Sequence, residues 1–393
     1  MALLEQADPD IDERFKGTGT LAVMLGIAVL GPAVFLLLPA FIGALADTYQ
    51  LSDGELGLLG SADLIGLAIA AATGIIWVQK AKWRPVVFAS LSIIVLGNVT
   101  SSLLTDFWAL FSVRLMVGFA SGALMAIFMS FAARTPDPNR TAALLIICQV
   151  SFMAVAFSLL PFVISEWGVD GIFVALAMLS SVLFLFVRLI PESVAPTVVS
   201  TQTYPKWSIK ASLVLVSMSL FFIAQSGVWA FIEIIGREAQ LTNLEVASAL
   251  SLSTLFGLAG PLGAFFFGER FGLRMPIAIS FFMQAIVLLY MALASYGYVA
   301  FLVCLSLFQV FWNLPLSYQF STMVKNDLSG RLVVMVPTCQ ALGIALGPIL
   351  FGLGMYATSA AIVPMIAVGV LVLYAACIIP VADGIQTPEN STS

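Results

Sequence analysis

Apolar residues run along this chain in long uninterrupted blocks, without the one-sided stripe of a soluble helix. The blocks fall near 20–45, 55–78, 86–105, 107–132, 141–164 and 170–190. A polar break, Pro191 to Lys210, follows. Six more blocks lie near 211–236, 245–268, 275–295, 298–322, 332–356 and 359–380. A helix needs about 20 apolar residues to cross a bilayer. The pattern therefore predicts an all-α polytopic membrane protein with twelve transmembrane helices in two six-helix bundles. Its parts are a cytoplasmic tail over 1–19, a bundle over 20–190, a cytoplasmic linker over 191–210, a second bundle over 211–380 and a cytoplasmic tail over 381–393.

Charge sets the orientation. With the N-terminus inside, the cytoplasmic segments hold fourteen of the sixteen basic residues, among them Arg14, Lys16, Lys80, Lys82, Arg84, Lys206 and Arg331. Only Arg237 falls outside and Arg114 lies within a span, while acids such as Asp47, Asp53, Asp170 and Glu238 fill the opposite loops. Basic residues stay on the cytoplasmic side. Both termini are thus expected in the cytoplasm, with the chain crossing the cell (inner) membrane many times.

Composition narrows the function. Apolar residues make up 61% of the chain and charged ones 9%, against roughly 25% in an ordinary soluble domain. A net charge of −5 gives nucleic acid nothing to bind, and the absence of His removes the commonest general base and metal ligand. Cys148, Cys304, Cys339 and Cys377 sit singly in apolar runs without metal-binding spacing. The expectation is no enzyme, no metal and no cofactor. The acidic N-terminal segment is unlike a cleaved signal peptide and reads as a short tail.

An internal repeat supports the six-plus-six count. Ser52-x-x-Glu55 and Thr242-x-x-Glu245, 190 residues apart, are both capping boxes opening the second helix of a half. The basic clusters Lys80 to Arg84 and Arg270 to Arg274 keep this offset, and Arg140 with Cys148-Gln149 returns as Arg331 with Cys339-Gln340.

On these residues the chain resembles the major facilitator superfamily over essentially its whole length. That family's loop after its second helix is matched well by Gly268-Glu269-Arg270-Phe271-Gly272-Leu273-Arg274, with Glu269 for the usual Asp. The N-terminal copy, Val78 to Arg84, keeps only the positive charges. Arg114-x-x-x-Gly118 matches the family's fourth-helix pattern. The antiporter signature of the fifth helix is absent, since the stretch reads Ser158-Leu159-Leu160-Pro161, which argues against drug/proton antiport. The resemblance implies that helices 1, 4, 7 and 10 line a central cavity. It also implies a conformational latch at Glu269, Arg270 and Arg274.

Charged side chains inside a bilayer are costly and mark pairing or function. Asp63 and Arg114 lie at similar depth on the second and fourth helices, giving two readings. Either protonation of Asp63 releases Arg114 during transport, or the two form a static ion pair. Gln225, Trp229 and Glu233 share one face of the seventh helix, as Gln309, Asn313 and Ser317 do on the tenth beside Trp312. Amides with indoles suit a small organic molecule with polar groups and an apolar body. Interhelical bonding is the alternative. The substrate-binding candidates are Arg114, Gln225, Trp229, Gln309, Trp312, Asn313, Gln149 and Gln340. The proton-coupling candidates are Asp63, Arg114 and Glu233, the last also readable as an outer-gate residue or a wetted interfacial carboxylate. Gly118, Gly122, Gly343 and Gly347 read as close-packing positions.

The function expected is a secondary active transporter moving a small organic solute by alternating access, coupled to protons and working as a monomer in the lipid bilayer. An organic acid, aromatic compound or sugar-like solute, with Arg114 as basic anchor, is the substrate expectation. A lipid or amphiphile flippase or exporter on the same fold, or a proton-independent uniporter, is the alternative.

Overall fold

A computed structural model describes residues 17–192, 208–327, 332–355 and 359–382. Arg14, Lys16, Lys206, Arg331 and most of the expected tails and linker lie outside the described residues. No strand occurs among the described residues. Ten helices of the described residues are long and apolar enough to cross a membrane. Two further crossings are hidden in that number, for different reasons.

The first crossing, α1, is broken into Thr18–Leu30, Ala33–Leu36 and Leu38–Thr48. The break begins at Gly31-Pro32, where proline lacks the N–H that a continuing helix needs. Next come α2 (Asp53–Trp77), α3 (Trp83–Ser101) and α4 (Phe107–Ala132). Pro138–Leu183 then runs as one element of 46 residues, but Gly168 inside it has φ 58 and ψ −149. That conformation is open to glycine and strained for other residues, so the chain turns there. We label the two arms α5 and α6. The second half contains α7 (Ile209–Glu238), then α8 in two pieces, Asn243–Phe256 and Ala259–Phe267. After it run α9 (Arg274–Leu293), α10 (Tyr298–Asn326), α11 (Val336–Met355) and α12 (Ile362–Ile378). This makes the twelve crossings that the hydrophobic pattern predicts.

The repeat is visible in local hydrogen bonds. Ser52 and Thr242 each receive the N3 backbone N–H of Glu55 and Glu245, whose carboxylates accept from the cap residues in return. Arg84 Nε donates to the carbonyl of Ile190 at 2.6 Å, and Arg274 Nε, 190 positions later, donates to that of Ile379 at 3.1 Å. Each arginine thus donates to a carbonyl just past the last long helix of its half.

The described residues form two compact units. The first comprises the described parts of Met1–Leu37, Ala62–Phe152 and Phe162–Ser200. The second comprises Leu38–Ser61, Met153–Pro161 and the described part of Thr201–Ser393. In the first unit, Met24, Ile27, Trp83, Phe128 and Phe131 are fully enclosed in an apolar core. In the second unit α7 is central, buried along most of its length. There the last piece of α1 packs on α7, and α2 approaches α11 backbone to backbone where Gly57 meets Pro348. Gly118, Gly122, Gly343 and Gly347 all lie where a Cβ would strike a neighbouring helix, as close-packing positions require. Phe, Leu and Val side chains remain exposed around both units, the surface lipid tails solvate.

Candidate functional site

Within the first unit, α2 and α4 cross with no side chains to hold them apart. A Cβ at Gly66 would overlap the α4 backbone, and one at Gly118 would overlap that of Asp63. This approach puts Asp63 against Arg114. Arg114 Nε and Nη2 donate to Asp63 Oδ2 and Oδ1 at 2.8 and 2.5 Å, a two-pronged fork. Nη1 donates to Asn98 Oδ1 of α3 at 2.8 Å, and Asn98 is itself oriented by donating Nδ2 to the Ile94 carbonyl. The Phe173 ring of α6 lies 5.2 Å from the guanidinium carbon, within cation–π range. Arg114 is 0% exposed and Asp63 5%. In this state the guanidinium presents no face to a solute.

Asn98 and Phe173 complete this arrangement and sequence reasoning missed both. The signal for Asn98 was present, as a lone amide in the apolar run of the third helix. Phe173 carried none.

In the second unit the α7 stripe divides among four neighbouring helices. Gln225 Nε2 donates to Gln284 Oε1 of α9 at 2.7 Å, and both residues are fully buried. Gln225 Oε1 and Gln284 Nε2 have no hydrogen-bond partner among the described residues. Trp229 meets Trp312 of α10 edge to face at 6.1 Å and Phe157 of α5 at 5.9 Å, while Phe308 meets Trp312 at 5.6 Å. Glu233 is half-buried beside Gly43 of α1.

On α10, Asn313 Nδ2 donates to the Gln309 carbonyl at 2.8 Å. Here α8 is interrupted at Gly257-Leu258, and Gly257 faces Asn313 and Gln309. Interrupted transmembrane helices leave backbone polar groups for a ligand or ion to use. Trp229, Trp312, Gln309 and Asn313 therefore gather near one another. Gln340 is half-buried on α11. Gln149 belongs to the first unit and donates to the Ala28 carbonyl of α1 at 3.2 Å. Gln149 and Arg114 thus belong to one unit and the other candidate lining residues to the second.

The loop between α8 and α9 is tied to the end of α10. Glu269 pairs with Lys325 at 2.7 Å, and Tyr318 donates its hydroxyl to the Gly268 carbonyl at 2.9 Å. Arg274 bonds the end of α12 as described above. The Arg270 side chain makes no ion pair or hydrogen bond among the described residues. Lys325, an unremarked basic residue in the cytoplasmic set, is the partner that sequence reasoning did not assign.

Apolar helices in duplicated halves, long enough to cross a bilayer and enclosing a carboxylate–arginine pair, define a multi-pass membrane protein. The chain belongs to the Major Facilitator Superfamily, whose sequence profile matches residues 23–348. An uncharacterized transporter of this type, YfhI of Bacillus subtilis (strain 168), is 25% identical over 268 residues, covering 65% of each chain, just under two thirds. A crystal structure of a variant of the nucleoside transporter NupG superposes with a TM-score of 0.73 at 15% identity, covering 92% of this chain and 98% of that one. A D-xylose-proton symporter superposes with a TM-score of 0.69 at 12% identity, covering 92% and 95%.

Proposed function

We propose that the protein is a secondary transporter that moves a small, uncharged, hydroxyl-bearing organic solute by alternating access, coupled to protons at Asp63. The observation that carries this reading is the fully enclosed Asp63–Arg114–Asn98 set. Protonating Asp63 removes its charge and one of the two acceptors that hold Arg114. The guanidinium then sits in apolar surroundings with Asn98 and an aromatic ring, and the helices holding it gain a reason to rearrange.

Solute binding is assigned to the second unit, where Gln309 and Asn313 carry amides beside the Trp229 and Trp312 indoles. This set is largely buried in this state, and the alternating-access reading exposes it to the solute in another. Flat apolar surface flanked by amides fits a sugar ring or a nucleoside. Nucleoside and D-xylose are the solutes named for the two structural neighbours. An acidic solute is disfavoured, because Arg114 is already taken by Asp63. The latch role of Glu269, Arg270 and Arg274 is carried by Glu269 with Lys325, and by Arg274 with the end of α12. The basic loops support termini in the cytoplasm and a place in the inner membrane, and the working unit of the proposal is a monomer.

Reconstituted protein tests the reading. Proteoliposomes under an inward proton gradient should concentrate a labelled pentose or nucleoside. Asp63→Asn mimics the protonated state, so it should lose accumulation and keep solute exchange. A folded Asp63→Asn protein that still concentrates the solute removes Asp63 from coupling. Movement of headgroup-labelled lipid with indifference to soluble solutes replaces the reading by a flippase.

A further inference from the structure

The end of α7 carries a charged cluster that the proposed solute and proton chemistry leaves unused. Arg237, in the last turn of α7, places Nη1 2.7 Å from both carboxylate oxygens of Asp47 in the last turn of α1. One turn back on each helix, the Glu233 carboxylate lies against Gly43, where any Cβ would overlap it. Glu233 makes no hydrogen bond among the described residues, yet it is close enough to interact electrostatically with both Arg237 and Asp47. The other charges at this end include Asp53 of α2 and Glu238 of α7, which repel each other, and the capping carboxylates Glu55 and Glu245, held by Ser52 and Thr242; Glu238 also accepts from the Ala360 N–H at 3.0 Å. All of these residues belong to the second compact unit.

We infer that Arg237 is a partner-exchanging gate residue: it pairs with Asp47 when α1 and α7 are joined at this end, and with Glu233 when they part. This inference rests on the alternating-access reading above, since only that reading requires the two helices to separate. The Asp47–Arg237 pair is partly exposed, with side chains 48% and 24% accessible. Exposed ion pairs are individually weak, so this one can open often. Opening nevertheless strips Arg237 of its counter-ion at the end of a membrane-spanning helix. Glu233 stands four residues toward the N-terminus on the same helix, the spacing and order in which a carboxylate and a cation pair best. While α1 is docked, Gly43 houses the Glu233 carboxylate and Asp47 holds Arg237. When α1 leaves, both constraints vanish together. Asp47 therefore favours the closed end and Glu233 the open one.

This opposition is what the experiment reads. Ala40 is 4% exposed and lies three and seven residues before Gly43 and Asp47, on the same α1 face below the ion pair. Full-length protein with the four native cysteines changed to Ala and carrying Ala40→Cys is placed in nanodiscs, and alkylation by an impermeant maleimide is timed. Asp47→Asn should speed alkylation about threefold to fivefold, and Glu233→Gln should slow it by a similar factor, the scale an exposed ion pair commands. Equal melting temperatures and equal labelling after denaturation establish that the variants are folded. Two variants shifting the rate in the same direction, or leaving it unchanged, overturn the exchange. No alkylation in any variant overturns it as well. Because labelling needs no solute flux, a wild type that moves no solute but shows the opposed shifts defeats the transport reading alone. A wild type that transports without them defeats the exchange alone.

Discussion

Among the carboxylate–arginine pairs of the described residues, Asp63–Arg114 and Asp47–Arg237 share their chemistry and lie in opposite settings. Asp63–Arg114 is enclosed, with the guanidinium 0% exposed and three of its donors occupied. Asp47–Arg237 lies at a helix end with both side chains partly wet. Desolvation makes the first pair expensive to create and far more expensive to leave half-made. Water and ions screen the second, so its rupture costs little. One pair therefore suits a switch that needs a chemical trigger, such as a proton. The other suits a contact that opens in every cycle.

The contrast breaks most sharply at Arg114. Arg114→Met leaves a buried carboxylate without its cation and should destabilise the protein by about 3–5 kcal/mol, read as a lowered melting temperature or lost expression. Combining it with Asp63→Leu should restore much of the stability while proton-driven accumulation stays absent. A stable Arg114→Met single variant would mean that the enclosure is wetter than the structure implies. Arg114→Lys keeps the charge but offers a point donor in place of the fork. A loss of about 1–3 kcal/mol is expected, from the donor positions Asp63 and Asn98 no longer receive.

Smaller effects sharpen the other side. Glu269→Gln breaks the pair with Lys325, whose side chains are 53% and 43% exposed, and should cost under about 1 kcal/mol of stability. Solute turnover should slow while equilibrium affinity stays within a few-fold, because the pair joins the α8–α9 loop to the last turn of α10, about three turns beyond Asn313. A large loss of affinity would remove the latch role. Least of all, Asp47→Asn should change the melting temperature by an amount equivalent to less than about 1 kcal/mol, and the difference should shrink further at high salt. A destabilisation as large as that of Arg114→Met would erase the distinction between the two pairs.

What the amino-acid sequence determined by itself is the part of the protein governed by local physics. In lipid every backbone polar group must be satisfied within its own helix, so length and apolarity alone place the twelve crossings. Capping boxes at Ser52 and Thr242 and the break at Gly31-Pro32 are likewise written in adjacent residues. The Asp63–Arg114 pairing was readable as a candidate because two charges in apolar runs at matching depth have few other partners. Tertiary structure alone decided where the remaining polar side chains went. Gln225, Trp229 and Glu233 share a helical face by periodicity, yet that face spans four neighbouring helices, which send them to Gln284, to Trp312 with Phe157, and to Gly43. Lys325 as the partner of Glu269, and Asp47 as that of Arg237, join residues 56 and 190 positions apart. No local rule reaches that far, because interhelical partners depend on which helices pack together and at what rotation, and an apolar solvent leaves that choice to side-chain fit.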